Sequence, residues 1–206
     1  MTRGTRGPTM ALAALAAVTL GGCMNPQGTD EADNPSRSAA HGELIEAELP
    51  AAVRRAGWDH IGSLMETSCT SDPDPETASR RTMWEGGARE LDVSEDSARH
   101  IAEQVRDYAE SHGWTAADDS DPAGHRLYGA TKDEVALQVT FRETGTRTAL
   151  SIVMSSPCLD MPAGHTMARS ELDPMYGSPD PMYPNDDRSK FTNGTPKPLP
   201  SPSPSE

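Results

Sequence analysis

The chain has 206 residues, with 18 Lys plus Arg against 32 Asp plus Glu, a formal net charge of −14, and 4% aromatic residues. That balance excludes a nucleic-acid binder, whose affinity comes from basic patches, and it opposes electrostatic adsorption to anionic lipid. Apolar residues gather in one stretch of about 116 residues, enough for one small core and too few for two.

The N-terminus is patterned for export. Arg3 and Arg6 are the only charges before Cys23, and MALAALAAVTL, Met10 to Leu20, is an apolar run broken only by Thr19. A basic start, an apolar run of this length and small residues after it predict a signal peptide over residues 1–22. The run is too short to span a bilayer, which takes about 20 apolar residues. Leu20-Gly21-Gly22-Cys23 resembles the lipobox of bacterial lipoproteins. The resemblance implies that the Cys23 thiol receives a diacylglycerol, that the chain is cut before it, and that the new amino terminus is acylated, palmitate being a typical chain. Each buried methylene contributes about 0.8 kcal/mol, so two or three acyl chains make a lasting anchor. The cut removes two arginines and no acids and leaves a formal charge of −16.

With Cys23 lipidated, Cys69 and Cys158 remain, an even pair in an oxidising compartment. They predict one disulfide, closing a loop worth about 4–5 kcal/mol in the chain-entropy model. The rival reading is a reactive or metal-binding pair, without a CxxC or a nearby histidine to support it.

Residues 23–42 are predicted to be the lipidated cysteine and a flexible tether with a reach of about 25 Å. A single domain follows over 43–158. GELIEAELPAAVRRAG, Gly42 to Gly57, reads as helix, with Pro50 marking a start at its own first turn. Trp58–Cys69 and Ser79–Gly86 each contain a strand, separated by the turn SDPDPE. DVSEDSARHIAEQVRDYAESHGW predicts an amphipathic helix. Asp92 or Ser94 caps it, and Ala98, Ile101, Ala102, Val105, Tyr108 and Ala109 form its apolar stripe. Glu95–Arg99, Arg99–Glu103 and Arg106–Glu110 pair across its outer face, and Gly113 stops it. The period then falls to two. HRLYGAT, VALQVTF and TALSIVM are three strands joined by turns at Lys132–Glu134 and Gly145. The predicted fold class is α+β: an antiparallel meander packed by a long amphipathic helix, with one disulfide and disordered termini. Residues 159–206 hold most of the prolines and repeat Asp-Pro-Met-Tyr at 173–176 and 180–183. This composition predicts a disordered tail.

The lipobox, polar tether, helix followed by a meander, and cysteine just after the last strand resemble small lipoproteins of actinobacteria. The resemblance covers the anchor and about residues 43–158, and only the lipobox is specific. It implies a location, the outer face of the cell membrane, and the fold. It implies no activity, and the long tail departs from the compact members.

Catalytic signatures such as GxGxxG, GxxxxGK[ST], GxSxG, HExxH and SxxK do not occur. The sequence therefore predicts no enzyme, no catalytic residue and no cofactor. Met161, His165 and Met167 are candidate copper(I) ligands, with Met175 and Met182 further along, because thioether and imidazole suit that soft ion. His165-Thr166-Met167 resembles the HxM ending of periplasmic copper chaperones. Asp118, Asp119 and Asp121 have the character of a calcium loop but lack its twelfth-position glutamate. The function expected is a lipid-anchored binding module with a cell-envelope protein or glycan as partner. Copper handling through the Met/His tail and a small envelope hydrolase, or an accessory to one, are the alternatives.

Overall fold

The computed structural model describes residues 33–117 and 125–201. The signal peptide, the lipobox residues Leu20, Gly21 and Gly22, Cys23 and the Asp118–Asp121 cluster lie outside the described residues.

The elements run α1 (Asn34–Arg55), β1 (Ser63–Ser68), α2 (Pro75–Ala78), β2 (Arg81–Leu91), α3 (Glu95–Ser111), β3 (Thr115–Ala116), β4 (Arg126–Lys132), β5 (Val135–Thr144), β6 (Arg147–Ser155) and β7 (Leu159–Asp160), with a 3₁₀ turn at Arg188–Lys190. The fold is α+β. A seven-stranded antiparallel sheet has the order β1-β2-β6-β5-β4-β3, and β7 pairs with the start of β2. The predicted meander is β4-β5-β6, and β6 then returns to lie beside β2.

One face of the sheet is buried. Leu64, Ala88, Tyr128, Ala130, Leu137, Val139, Leu150, Ile152 and Met154 share it by register and form the core with Ile45 and Leu49 of α1 and Ala98, Val105 and Ala109 of α3. The capping of α3 follows the sequence: Ser94 Oγ accepts from Ser97 N–H, and Gly113 takes φ +80° just past the helix. On its outer face Arg99 meets Glu95 at 2.5 Å, whereas Arg106 lies over the Tyr128 ring. Glu48 fastens the two helices to the sheet, accepting from Lys132 Nζ at 2.6 Å, Tyr108 Oη at 2.8 Å and Trp114 Nε1 at 3.2 Å. Burial alone would raise the pKa of this carboxyl; the three donors outweigh it and hold the pKa below its ordinary value.

Three expectations are corrected. First, α1 starts at Asn34, not at Gly42, so residues 34–42 are helix and not tether. Its buried stripe begins with polar residues, Asn34, Ser38 and His41, and only then becomes Ile45, Leu49 and Ala52. Second, Pro50 lies inside α1, not at its start. It is buried, and packing of the stripe beside it outweighs the lost backbone bond. The helix approaches the sheet closely at Gly86, where a Cβ would stand 2.8 Å from Leu49 Cδ2 and from Leu64 Cδ1.

Third, residues 159–201 pack onto the domain instead of forming a disordered tail. Past the Cys69–Cys158 disulfide, residues 168–170 run along edge strand β1, with Glu66 N–H donating to Ala168 O and Ser170 N–H to Leu64 O. An exposed edge would otherwise invite pairing with another chain. Each Asp-Pro-Met-Tyr repeat is a turn whose aspartate accepts from the N–H two residues on, Asp173 from Met175 at 2.7 Å and Asp180 from Met182 at 2.9 Å. The prolines preset these turns. The buried Arg169 draws the turns together. Its guanidinium bonds Met175 O, Ser178 Oγ, Asp180 and Asp186 and lies 3.8 Å from the centre of the Tyr183 ring. Burial pushes the Tyr183 hydroxyl up to about 12, and it donates to Glu66 O at 2.7 Å.

Candidate functional site

The polar start of α1 forms one wall of a cleft whose other wall is the β4–β5 turn. Arg37, Ala40, His41, Leu44, Asp133 and Glu134 line a cavity of about 450 Å³. The turn is tight: Lys132 pairs with Val135, so Asp133 and Glu134 alone reverse the chain, with φ +47° and +67°. Such a hairpin favours Asn-Gly, and left-handed backbone at a glutamate costs about 1–2 kcal/mol. The strained turn aims Glu134 at the helix. Arg37 Nη2 donates to both Glu134 oxygens, at 3.2 and 2.9 Å, and Arg37 Nη1 donates to Asn34 Oδ1. Asn34 Nδ2 in turn donates to Asp160 O at 2.8 Å.

His41 sits behind this pair. It is 5% exposed, its Nε2 is 3.5 Å from Glu134 Oε2, and its buried Nδ1 has no hydrogen-bond partner among the described residues. Burial lowers its pKa from the ordinary 6.5, partly offset by Glu134. Glu134 is held below the usual carboxylate range chiefly by its bond from Arg37. The cleft therefore offers an imidazole whose burial favours the neutral form, a carboxylate fixed by a guanidinium that favours its ionised form, and an apolar strip from Ala40 and Leu44. No serine, threonine or cysteine is within hydrogen-bond reach of the His41 ring among the described residues. The arrangement suits recognition of a group that is part polar and part apolar.

A second polar cluster joins the C-terminal segment to the core. Glu66 is 1% exposed, and its Oε1 accepts from Thr82 Oγ1 and from Ser38 Oγ at 3.5 Å and lies 2.7 Å from His165 Nε2; Oε2 accepts from Ala168 N–H. This gives the residues singled out for copper their actual places. His165 spends Nε2 on Glu66, while Met161 and Met167, 1% and 3% exposed, pack in the interior. His165, Met167 and Met182 line a cavity of about 220 Å³ that does not include Met161. Among the described residues no group of three His, Cys, Asp or Glu has the geometry to hold a metal ion. Cys69 and Cys158 form the predicted disulfide, their Cα atoms 6.2 Å apart. His112 is the C-cap of α3, bonds Tyr108 O and stacks on the Tyr108 ring.

The sequence reading missed Arg37, His41 and Glu134. Asp33-Asn34-Pro35 carried a signal, an acid and an amide before a proline, which marks a helix start. No family model matches the chain, and no curated protein or solved structure shows significant similarity to it. No helix among the described residues is long and apolar enough to cross a membrane.

Proposed function

We propose that this protein is an extracytoplasmic lipoprotein, held on the outer face of the cell membrane by acylated Cys23, and that it serves there as a non-catalytic binding module for a cell-envelope protein or glycan. The anchor is supported by the short apolar run that ends in Leu20-Gly21-Gly22-Cys23. The binding role is supported by the cleft, where an imidazole, a fixed carboxylate and an apolar strip converge.

A small envelope hydrolase is the second reading. A buried histidine of lowered pKa in a cleft is also what an acid–base catalyst looks like. The test uses envelope sheets from cells lacking the protein, incubated with the purified full chain and sedimented. Native protein should pellet with the sheets, and Ala40→Trp, which fills the cleft from an exposed helix position, should reduce retention at least about fivefold. Prior protease treatment of the sheets separates a protein partner from a glycan. Equal retention of Ala40→Trp and native chain would refute the cleft as the binding site. Release of soluble wall fragments that His41→Ala abolishes would establish the hydrolase instead.

A further inference from the structure

The second face of the sheet carries the exposed side chains of Arg89 and Arg142, and its charge is at odds with the rest of the molecule. We infer that this face carries an oxyanion site, formed by Arg89 and Arg142 over the hydroxyls of Thr140 and Ser151, that takes a phosphate group of an anionic polymer.

The register builds the site. Arg89 of β2 stands opposite Ser151 of β6, and Ser151 opposite Thr140 of β5; Arg142 stands opposite Ala149 one step along. Directly opposed residues in antiparallel strands share a face, so all of these point away from the helices. Strands β2 and β5 flank β6, about 10 Å apart. The two exposed arginines therefore stand diagonally across β6, offset by two residues along the strands, and with Thr140, Ala149, Ser151 and Val153 they line a single cavity of about 220 Å³.

Charge identifies the occupant. In a chain of net charge −14, this face gathers cations. Neither Arg89 nor Arg142 has an acidic partner among the described residues. The nearest acid of the face in β2 is Glu85, four residues from Arg89 and about 13 Å along the strand. Arg147 at the far end is engaged by Asp92, and Arg81 lies 3.7 Å from Asp160. Arg126 of β4 is opposite Thr140 and lies against Gly129, so it extends the same row of positive charge across a fourth strand.

Two guanidinium forks and two hydroxyls present about six donors, more than the four or so lone pairs of one carboxylate, so a phosphate satisfies them better. Arg126 stands one strand beyond the residues that line the cavity. This suits a chain with repeated charges more than a free ion. The site lies on the face opposite α1 and its cleft, and it stands independently of the membrane anchor.

The test is fluorescence anisotropy of labelled polyphosphate with the full chain in mild detergent, compared with labelled polyglutamate and with competition by inorganic phosphate. Polyphosphate should bind, and Arg89→Gln/Arg142→Gln should weaken it at least about tenfold. Arg55→Gln/Arg188→Gln removes the same charge from exposed positions elsewhere and should bind like the native chain. Equal thermal unfolding of the three proteins shows that the variants are folded. The proposal is overturned by native affinity in the first variant, by an equal loss in the second, or by absence of polyphosphate binding. Equally tight polyglutamate binding would overturn phosphate as the class, and inorganic phosphate binding as well as polyphosphate would overturn the polymer.

Discussion

Burial shifts His41 toward its neutral form relative to an exposed histidine. Burial disfavours the imidazolium and the Arg37 guanidinium adds to the effect, so the folded pKa lies below 6.5 even with Glu134 at 3.5 Å and Asp133 in the same turn. The sign follows directly. The unfolded chain takes up the proton more readily than the folded one, so the contribution of His41 to stability is fully present above about pH 6.5 and is lost as pH falls through the folded pKa. Urea unfolding at pH 7.5, 6.5 and 5.5 should show stability decreasing toward acid, with a shallower decrease in His41→Gln. An identical slope in that variant would mean that His41 is not the group being titrated. Neither the ring nor its partner was identifiable from spacing, since His41 and Glu134 are far apart in sequence and meet only because the β4–β5 turn folds back against α1.

Elements were legible where burial is apolar and illegible where it is polar. The stripe of α3 and the period of two in β4, β5 and β6 are written in Ala, Val, Ile, Leu and Met, and their bounds fall close to the sequence pattern. The first turns of α1 bury Asn34, Ser38 and His41, which carry no hydrophobic period, and so they read as tether. The C-terminal segment shows the same effect more strongly. Its order comes from one buried arginine, the aspartates around it and prolines that preset turns, a composition that by itself resembles disorder. Arg169→Gln should therefore be severe locally. It leaves the buried Asp173 and Asp186 with backbone donors but without their cationic partner, at a cost of about 3–5 kcal/mol. Limited proteolysis should cut this variant rapidly between residues 165 and 190 while the region from α1 to β6 stays protected. Native-like resistance in that segment would show that the arginine does not hold it.

For the whole molecule, the correction to α1 shortens the link to the membrane under the proposed anchoring at Cys23. Ten residues separate Cys23 from Asn34, a span of at most about 35 Å when fully extended. The cleft lies beside the first turns of α1, so under the proposed anchoring it works close to the membrane surface, while the acidic surface contributes no lipid attraction of its own. The disulfide joins the end of β1 to the entry of β7 and so secures the C-terminal segment at its root. The most direct test of the account is intact mass spectrometry of the protein released from its own membranes in mild detergent without reductant. The account predicts a chain beginning at Cys23, heavier by its acyl groups and lighter by the two hydrogens of the Cys69–Cys158 bond. A chain with an unmodified Cys23, or one cut elsewhere, would contradict it.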